Sequence, residues 1–382
     1  MLAPQTPGEL AEALGGAAAQ GRAIALCGHS SKRSMAGPVA PADCQITTLA
    51  LKRVIEYEPH DLTISVEAGL SWRELVRTVS AHRQMVPLDP PFAARATVGG
   101  VVAANSSGPR RRLYGTARDM VIGMRFATLE GKLAQSGGMV VKNVAGLDMA
   151  KLMIGSFGTL AGIAVVNLRL TPAPEVERSF LLAFASSAEA IAARDKLLRG
   201  ALQPAAVDLL NPPASALVGS DSWLLAVRAG GTAAAADRYQ DELARLADWM
   251  AFDGARQEVL WNRLENYTPW FLERNRDGAV VRVSCTLRGL EEVMASFDGP
   301  ALARAATGVC YGYFERTEAA AAWLAGAVRR GWKAVIEFAP EERKRALDLW
   351  PAPGGDLELM RRIKGLFDPA NLLNRGRLYG RI

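Results

Sequence analysis

The sequence is poor in the residues that most often hold metals, and this restricts its chemistry. Its 382 residues include three histidines, all in the first quarter of the chain: His29, His60 and His82. Its four cysteines stand singly, without a CxxC pair: Cys27, Cys44, Cys285 and Cys310. Because iron–sulfur clusters and structural zinc sites need clustered ligands, we expect no metal site. Isolated cysteines are typical of buried free thiols in a reducing cytoplasm.

Long apolar runs, a secretory leader and an extreme charge are missing as well. No run of about 18 apolar residues that could span a membrane occurs, and residues 1–20 lack the basic start of a signal peptide. We therefore expect a cytoplasmic protein, with peripheral contact to the inner face of a membrane left open. The net charge of +6 is modest, and the charged clusters at 110–112 and 341–345 contain no aromatic residue. These clusters are predicted to be solvated surface, and no nucleic-acid partner is expected.

The glycine fingerprints of two large nucleotide-binding classes are also absent. No GxGxxG motif follows a predicted strand, and Gly131-Lys132 is followed by leucine instead of the serine or threonine of a P-loop. A nicotinamide-binding Rossmann domain and a P-loop NTPase are therefore disfavoured. Glycine is nevertheless dense between residues 96 and 162, as close backbone approach to a ligand would require.

The order of predicted elements divides the chain in two, as its length suggests. Residues 6–20 have apolar residues at helical spacing, with Thr6 as the cap and Pro7 in the first turn. Segments 22–27 and 63–68 are predicted strands, and a helix capped by Ser71 follows the second. Between residues 176 and 340, strand-like and helical segments alternate, which predicts an α+β domain of the split βαβ type.

Four segments combine glycine with small polar residues, as a flat, phosphate-bearing ligand needs. Residues 27–32 (CGHSSK) form a turn after a strand that presents N–H groups and hydroxyls to a pyrophosphate. In residues 96–108 (ATVGGVVAANSSG), Gly99 and Gly100 open a helix whose small side chains permit close approach. The third segment is 114–119 (YGTARD), and the fourth is 141–148 (VKNVAGLD) with 155–163 (GSFGTLAGI). Each alone is compatible with an ordinary glycine turn, but their order and spacing together indicate a cofactor site.

Together these segments resemble the FAD-binding domain of the vanillyl-alcohol oxidase superfamily, in particular the E-type FAD-binding subunits of bacterial glycolate oxidase (glycolate dehydrogenase). The turn at 108–111 (GPRR) before Arg118-Asp119 carries the resemblance, which returns in the tail at 366–369 (LFDP) and 373–379 (LNRGRLY). It implies an α+β fold with a two-subdomain PCMH-type FAD-binding domain over residues 1–172. A ferredoxin-like α+β cap domain would follow over residues 176–340, and a C-terminal tail over 356–382 would pack back on the FAD domain.

The resemblance also implies which residues border the cofactor. The expected FAD-binding residues are Gly28, His29, Ser30, Ser31, Lys32, Asp89, Pro90, Thr97, Gly99, Gly100, Ala103, Asn105, Ser106, Gly115, Arg118, Asp119, Lys142, Asn143, Asp148, Gly162, Ile163, Asn374 and Arg377. Some relatives attach FAD to a histidine of the pyrophosphate loop, but His29 follows one glycine rather than two, so we expect non-covalent FAD. Leu147 replaces a usual tyrosine and Arg375 a usual proline, which removes a phenol and loosens the turn of the tail.

The residues leave the catalytic base unassigned. Oxidation of a 2-hydroxy acid needs a base for the hydroxyl proton and a cation for the carboxylate, beside the flavin. Related D-type subunits and D-lactate dehydrogenases use a histidine-rich, metal-linked motif in the second half of the chain, and this sequence lacks it. Candidate substitutes, each more typical of a structural role, are Arg282, Tyr311, Tyr313 and Glu315.

Three functions remain open on these grounds. The chain would be the FAD-binding subunit of a glycolate (2-hydroxy acid) oxidase complex, relaying electrons beside a catalytic D-type flavoprotein subunit and an iron–sulfur subunit. Alternatively it would be a self-sufficient FAD-dependent 2-hydroxy acid dehydrogenase, or a structural subunit whose FAD is redox-silent. The missing histidine motif and the missing cysteine clusters favour the first.

Overall fold

The N-terminal region combines short helices with three small sheets. The computed structural model describes residues 1–139 and 148–382. Helices of this region are α1 Pro7–Ala19, α2 Trp72–Ser80, α3 Val98–Ala103, α4 Arg111–Tyr114, α5 Ala117–Met120 and α6 Ala150–Met153. Its strands are β1 Ile24–Cys27, β2 Cys44–Thr47, β3 Val54–Glu58, β4 Thr63–Glu67, β5 Gln84–Met85, β6 Val121–Ala127, β7 Leu133–Gly137, β8 Gly162–Arg169 and β9 Thr171–Pro172.

The second region and the tail follow in alternating order. Strands of this region are β10 Val176–Phe184, β11 Ala206–Leu210, β12 Trp223–Gly231, β13 Trp249–Phe252, β14 Ala279–Ser284, β15 Ala301–Arg304, β16 Val309–Phe314 and β17 Lys333–Phe338. Its helices are α7 Ser187–Arg199, α8 Pro212–Ser215, α9 Ala233–Ala244, α10 Gly254–Glu265, α11 Tyr267–Arg274, α12 Leu290–Ala295 and α13 Thr317–Arg329. The tail carries α14 Asp356–Phe367.

Local signals in the sequence explain where the first helices begin. The Thr6 hydroxyl accepts from the Glu9 N–H at 3.2 Å, and Pro7 occupies the first turn of α1, where its missing N–H costs nothing. Ser71 caps α2 in the same way, accepting from the Glu74 N–H at 3.1 Å. These two helices confirm the predictions made from the cap residues.

Three sheets build the N-terminal domain, and the smallest is the antiparallel pair β5-β9. Strands β1 and β2 form a parallel pair against which α1 packs, and the second sheet is antiparallel in the order β3-β4-β8-β6-β7. Gly15 of α1 lies so close to the β6–β7 turn that a Cβ there would meet the Cα of Gly131 at 2.5 Å. The β1-β2 pair and the five-stranded sheet are therefore joined through close packing of α1.

The second domain is a single antiparallel sheet made of two equivalent halves. Its strand order is β13-β10-β12-β11-β15-β16-β14-β17, and we call it the cap sheet. Each half follows a β-α-β-β-α-β order and has the split βαβ arrangement, and the halves join where β11 pairs with β15. The predicted α+β class with a ferredoxin-like second domain is confirmed, and the structure adds that the unit occurs twice.

The two faces of the cap sheet pack against different partners. One face buries Phe180 and Val281 beneath helices that include α7 and α13. Because side chains alternate along a strand, the next residues, Leu181 and Val280, lie on the opposite face, where they share a core with Met35 of the N-terminal domain. The second face is therefore the one that meets the N-terminal domain.

This second face also carries buried and half-buried charges. Its ion pairs include Arg228–Glu177 (2.9 Å), Arg304–Asp208 and Arg282–Glu337 (3.0 Å). From the N-terminal domain, Asp89 and Arg110 add another buried pair. The prediction that the 110–112 cluster is solvated surface is therefore wrong for Arg110, because Asp89, 21 residues earlier, draws its guanidinium inward.

The tail returns to the N-terminal domain, as predicted. Lys364 Nζ lies 2.5 Å from Asp368 Oδ2 and donates to the carbonyl oxygens of Thr159 (2.8 Å) and Leu373 (3.0 Å). Leu373 then forms a parallel bridge with Ile24 of β1. A buried ion pair therefore fixes the point at which the tail joins the first sheet. The predicted domain boundaries at residues 172, 176, 340 and 356 stay predictions.

Several strands carry no clear sequence signal. Strand β3 has only one half-buried residue among exposed ones, so its pattern does not alternate. Strand β2 is short, and β6 lies in a glycine-rich region. In both segments tertiary packing, more than local propensity, decides that a strand forms. Within residues 1–139 and 148–382, no helix combines the length and apolarity that a membrane span requires.

We expect the buried pair of the tail to be a major contributor to stability. Asp368→Asn leaves the Lys364 ammonium buried without a counter-charge, which should lower the free energy of unfolding by about 3–5 kcal/mol. Glu74→Gln is the matched control, because it breaks an exposed pair with Arg77 and should cost about 0–1 kcal/mol. Denaturant unfolding measures both, and equal losses would contradict the assignment.

Candidate functional site

A cavity lies where β1, α3, the segment before β8 and the tail converge. Its lining includes residues from all four places, with the loop after β1 forming one wall. The predicted residues that the structure brings together there are Gly28, His29, Ser30, Ser31, Lys32, Thr97, Gly99, Gly100, Ala103, Ile163, Asn374 and Arg377. Segments more than 300 residues apart in sequence therefore meet around one space.

Close backbone packing shapes the floor of this cavity. A Cβ on Gly28 would lie 2.5 Å from Thr97 Oγ1, and one on Gly99 would lie 2.7 Å from the Cβ of Ala68. Thr97 also caps α3, because its hydroxyl accepts from the Gly100 N–H at 3.2 Å. Glycine is therefore required at 28 and 99 for the loop, the helix and β4 to come together.

Three non-glycine residues on the cavity wall have a left-handed backbone. The φ angles are 54° for Ser30, 54° for Phe157 and 44° for Asn374. Such conformations are uncommon outside glycine and persist where the surroundings enforce them, often at ligand sites. The wall is therefore held in a specific shape.

Lys32 supplies a positive charge to this cavity. Its side chain is buried, and burial lowers the pKa of its ammonium to about 8. Among the described residues it has no acidic partner and donates no side-chain hydrogen bond. A buried cation without a counter-charge is costly, so the cavity favours an anionic ligand.

The tail closes the cavity through two side chains. The Asn374 amide pairs with the backbone of Leu26, accepting from its N–H at 2.8 Å and donating to its carbonyl at 3.2 Å. It also donates to the Phe157 carbonyl at 3.0 Å. Arg377 donates to the Met35 carbonyl at 3.0 Å. Both side chains line the cavity, and both also brace the loops that form it.

Lys344 contributes to the same bracing from outside the cavity. Its ammonium donates to the carbonyl oxygens of Arg33 at 2.9 Å and Met35 at 3.3 Å. The prediction that the 341–345 cluster is solvated surface is wrong for this residue, which is 2% exposed. The physical reason is that the loop after β1 turns its carbonyl groups toward the chain that follows β17.

The other predicted residues within the described ranges lie outside the cavity: Asp89, Pro90, Asn105, Ser106, Gly115, Arg118, Asp119, Asp148 and Gly162. Asp119 completes a capping box with Thr116, and Arg118 donates to the Lys151 carbonyl at 2.7 Å. Asp148 lies 3.7 Å from the Lys151 ammonium. Lys142 and Asn143 lie outside the residues that the structure describes. Their roles stay predictions.

Asn105 and Ser106 directly follow Ala104, which lines the cavity. The Asn105 Oδ1 and Ser106 Oγ atoms are buried and have no hydrogen-bond partner within the described chain. Unsatisfied buried polar atoms are rare in folded proteins and often mark the place of a missing ligand or water. They extend the polar environment of the cavity beyond its lining.

Some lining residues escaped the sequence analysis. Phe157 and Gly158 lie in the predicted fourth segment but were not assigned to the site, and Gln45 and Thr48 come from β2 and its exit. The left-handed turn at Phe157 lies between Gly155 and Gly158, and these glycines were a usable signal. Gln45 and Thr48 have no such signal, because their place depends on the pairing of β1 with β2.

Comparison with known proteins agrees with this geometry. Residues 1–137 match the family described as FAD binding domain, and residues 351–378 match the C-terminal domain of FAD linked oxidases. By these matches the chain contains an FAD binding domain, and FAD is therefore the cofactor of this protein. The predicted resemblance to an FAD-binding domain is confirmed.

Curated relatives align with part of the chain. The glycolate oxidase subunit GlcE of Escherichia coli (strain K12) is 33% identical over 157 residues, 41% of this chain and 44% of the relative. The glycolate oxidase subunit GlcD of Bacillus subtilis (strain 168) is 27% identical over 192 residues, 50% of this chain and 41% of the relative. The chain thus spans less than half the length of either relative.

A solved structure matches nearly the whole fold. The 4-ethylphenol oxidase from Gulosibacter chungangensis superposes with a TM-score of 0.73 at 14% identity, covering 98% of this chain and 88% of that one. At this identity the likeness concerns the fold alone, and it confirms the predicted PCMH-type architecture.

The residues present fit FAD. The Lys32 ammonium and the loop after Gly28 suit the pyrophosphate, and the unpaired Asn105 and Ser106 oxygens suit a polar ring system beside α3. Bound there, FAD supplies a two-electron acceptor for a hydride. The protein's own part would be to hold the pyrophosphate, fix the loop and exclude water.

The candidate catalytic side chains differ in their surroundings. Glu315 is exposed, whereas the Tyr313 hydroxyl lies 3.1 Å from the Thr268 hydroxyl and burial raises its pKa well above the usual range. Arg282 pairs with Glu337 at 3.0 Å. His60 and His82 are exposed. Within the described residues, no group of three His, Cys, Asp or Glu side chains is placed to hold a metal.

We expect FAD affinity to depend on Lys32 and on pH. The pyrophosphate favours the ammonium form, so the pKa of Lys32 rises from about 8 on binding and a proton is taken up above that pH. Affinity should therefore be constant below pH 8 and fall by up to about tenfold per pH unit above it.

Lys32→Met should weaken FAD binding about tenfold or more at pH 7 and flatten this pH dependence. Lys52→Met changes an exposed lysine and is the control. It should change neither the affinity for FAD nor its pH dependence. Fluorescence titration of the apoprotein with FAD measures both quantities, and an unchanged pH profile in Lys32→Met would contradict the assignment.

Proposed function

We propose that this chain is the FAD-binding subunit of a complex that oxidises a small 2-hydroxy acid, passing electrons beside a catalytic D-type flavoprotein subunit and an iron–sulfur subunit. One observation carries the proposal: a cavity that fits FAD belongs to a chain without any histidine after residue 82. FAD binding and proton abstraction are therefore separable in this protein.

The relatives give the substrate class. Both GlcE and GlcD are named as subunits of glycolate oxidase, and each aligns with part of this chain. Glycolate is a small 2-hydroxy acid, and its oxidation delivers two electrons and two protons. A flavin accepts the electrons, and a base on the same or another subunit accepts the hydroxyl proton.

The cysteines support a separate electron acceptor. All four are free thiols, as predicted, although Cys27 and Cys285 are half-buried instead of fully buried. Cys285 and Cys310 approach each other at 4.0 Å between their Sγ atoms, and no further cysteine in the described ranges joins them. Four thiolates are the usual ligands of an iron–sulfur cluster, so onward transfer needs another subunit.

A self-sufficient dehydrogenase is the second candidate. It is favoured by the polar side chains on the cap-sheet face, where Arg282 and Tyr311 remain half-exposed. A subunit with redox-silent FAD stays the third candidate.

We expect the flavin to respond differently in the isolated chain and in the complex. Under anaerobic conditions, glycolate or D-lactate should leave the flavin absorbance of the isolated chain largely unchanged. The same substrates should bleach it in the native complex captured through this chain. Flavin and iron counting on that complex should give more than one flavin together with iron.

Rapid bleaching of the isolated chain would instead establish the self-sufficient dehydrogenase. A flavin that stays oxidised in the assembled complex while substrate turns over would establish the redox-silent subunit. Either outcome would contradict the proposal that the flavin of this chain relays electrons.

We also expect the FAD to be held without a covalent bond. His29 lines the cavity but is exposed, and its neighbours Ser30 and Ser31 suffice to contact a pyrophosphate. After acid precipitation the yellow colour should stay in the supernatant. His29→Ala should bind FAD as wild type does, and flavin that remains on the wild-type pellet but not on the variant would contradict the proposal.

A further inference from the structure

Two thiols of the cap sheet lie close together on neighbouring strands. Cys310 of β16 is paired with Val283 of β14, and Cys285 directly follows the last residue of β14. Residues 283 and 285 are two apart, so their side chains and that of Cys310 lie on the same face of the sheet, the one covered by helices. The Cys285 and Cys310 Sγ atoms are 4.0 Å apart. A disulfide joins sulfurs at about 2 Å, so a movement of about 2 Å would close the bond.

A glycine turn allows this approach. The Cys285 N–H donates to the Gly308 carbonyl at 2.8 Å, one residue before β16 begins. Gly308 has a φ angle of 71°, and a Cβ on it would lie 2.0 Å from the Cys285 carbonyl oxygen. Only glycine meets both conditions, so the turn between β15 and β16 is shaped to receive the chain at Cys285.

A buried arginine holds the same two segments. The guanidinium of Arg194, on α7, donates to the carbonyl oxygens of Ala305 at 2.9 Å and Leu287 at 3.0 Å. Ala305 begins the turn between β15 and β16, and Leu287 lies two residues after Cys285. Asp195 offsets part of the charge, since its Oδ1 lies 2.7 Å from Arg194 Nε. Arg194 therefore fixes the spacing of the segments that carry the two thiols.

The two thiols differ in exposure and in acidity. Cys285 is half-buried, whereas Cys310 is fully buried. The Cys285 thiol donates to the Gly308 carbonyl at 3.4 Å, which leaves its sulfur lone pairs to accept from Cys310. This bond from Cys310, helped by the charge of Arg194, lowers the pKa of Cys285 against the effect of burial, and the same bond together with burial raises the pKa of Cys310. Cys285 is therefore the thiol that ionises first and the one that a solute reaches.

We propose that Cys285 and Cys310 form a reversible redox pair, in which a hydroperoxide oxidises Cys285 and Cys310 then closes a disulfide. Accessible, acidic thiols beside a second cysteine are the ones that hydrogen peroxide oxidises reversibly. The site lies on the face of the cap sheet opposite to the N-terminal domain, and the inference is independent of the proposed function.

The chemistry balances with hydrogen peroxide as the only oxidant. The Cys285 thiolate attacks one peroxide oxygen, the O–O bond breaks, and hydroxide leaves, so that Cys285 becomes a sulfenic acid. The Cys310 sulfur then attacks Cys285 Sγ, the S–S bond forms, and the S–O bond breaks. The leaving hydroxide takes the Cys310 proton. In sum, two thiols and one peroxide give one disulfide and two waters.

The test uses the whole chain with FAD bound, reduced with dithiothreitol and then freed of the reductant. A small molar excess of hydrogen peroxide should lower the mass of the polypeptide by about 2 Da, the loss of two hydrogen atoms. Denatured protein should then show two reactive thiols in place of four. Peptide mapping should place the new bond between Cys285 and Cys310, and dithiothreitol should restore both thiols.

Three variants assign the roles of the two sulfurs. Cys285→Ser should lose no thiols to peroxide, because the attacking sulfur is gone. Cys310→Ala should stop at the sulfenic acid of Cys285, which dimedone traps as a stable adduct. Cys44→Ala is the matched control, since it removes a buried thiol of the N-terminal domain and should form the same disulfide as wild type. Circular dichroism and FAD content are measured for every variant.

The wild-type protein alone can overturn the inference, whether or not the variants fold. A full count of four thiols after peroxide treatment, or a disulfide that joins another pair of cysteines, contradicts the redox pair. Oxidation of Cys285 to a sulfinic acid while Cys310 stays a free thiol contradicts it as well. Loss of the disulfide in a folded Cys44→Ala would also overturn the assignment.

Discussion

Two cations hold the loop after β1 by its carbonyl groups, and the shape of the cofactor cavity depends on this contact. Arg377 donates to the carbonyls of Met35 and Gly37, and Lys344 donates to those of Arg33 and Met35. Buried charges are tolerated only where polar groups surround them, so the carbonyls and the cations stabilise each other. The cofactor loop therefore takes its final form only after both ends of the chain have met.

The same loop extends the cap sheet. The Ala36 N–H donates to the Glu337 carbonyl at 2.7 Å, and the Ala339 N–H donates to the Ser34 carbonyl at 3.1 Å. The loop that lines the cavity is thus hydrogen-bonded to strand β17, whose Glu337 side chain forms an ion pair with Arg282. The loop after β1, the edge of the cap sheet and this ion pair form one connected unit.

Sequence reasoning recovers the parts of this protein whose causes are local. Helix α1 follows from Thr6 and Pro7, and the cofactor loop follows from a strand that ends in Gly28 and small polar residues. The parts it misses depend on partners far along the chain. Lys364 reaches the Thr159 carbonyl 205 residues away, and Lys344 reaches that of Arg33 across 311 residues.

Charge clusters show the same limit. In sequence, residues 110–112 and 341–345 are solvated patches, because nothing nearby offers a counter-charge or a carbonyl group. In the fold, Asp89 draws Arg110 inward, whereas Arg111 stays half-buried and forms no ion pair with any described residue. Only packing distinguishes adjacent arginines with identical chemistry, and this is why the catalytic groups could not be assigned from composition and spacing.

The duplicated cap sheet has an internal symmetry that its two ends have used differently. A pseudo-twofold axis at the β11–β15 junction relates β13 to β17, so the outer edges of the sheet are equivalent positions. The loop after β1 is hydrogen-bonded along the β17 edge. Along the β13 edge the described chain adds no further strand, and Met250 is 59% exposed. The two equivalent edges thus differ in this protein: β17 is hydrogen-bonded to the loop that lines the cavity, whereas β13 carries exposed side chains.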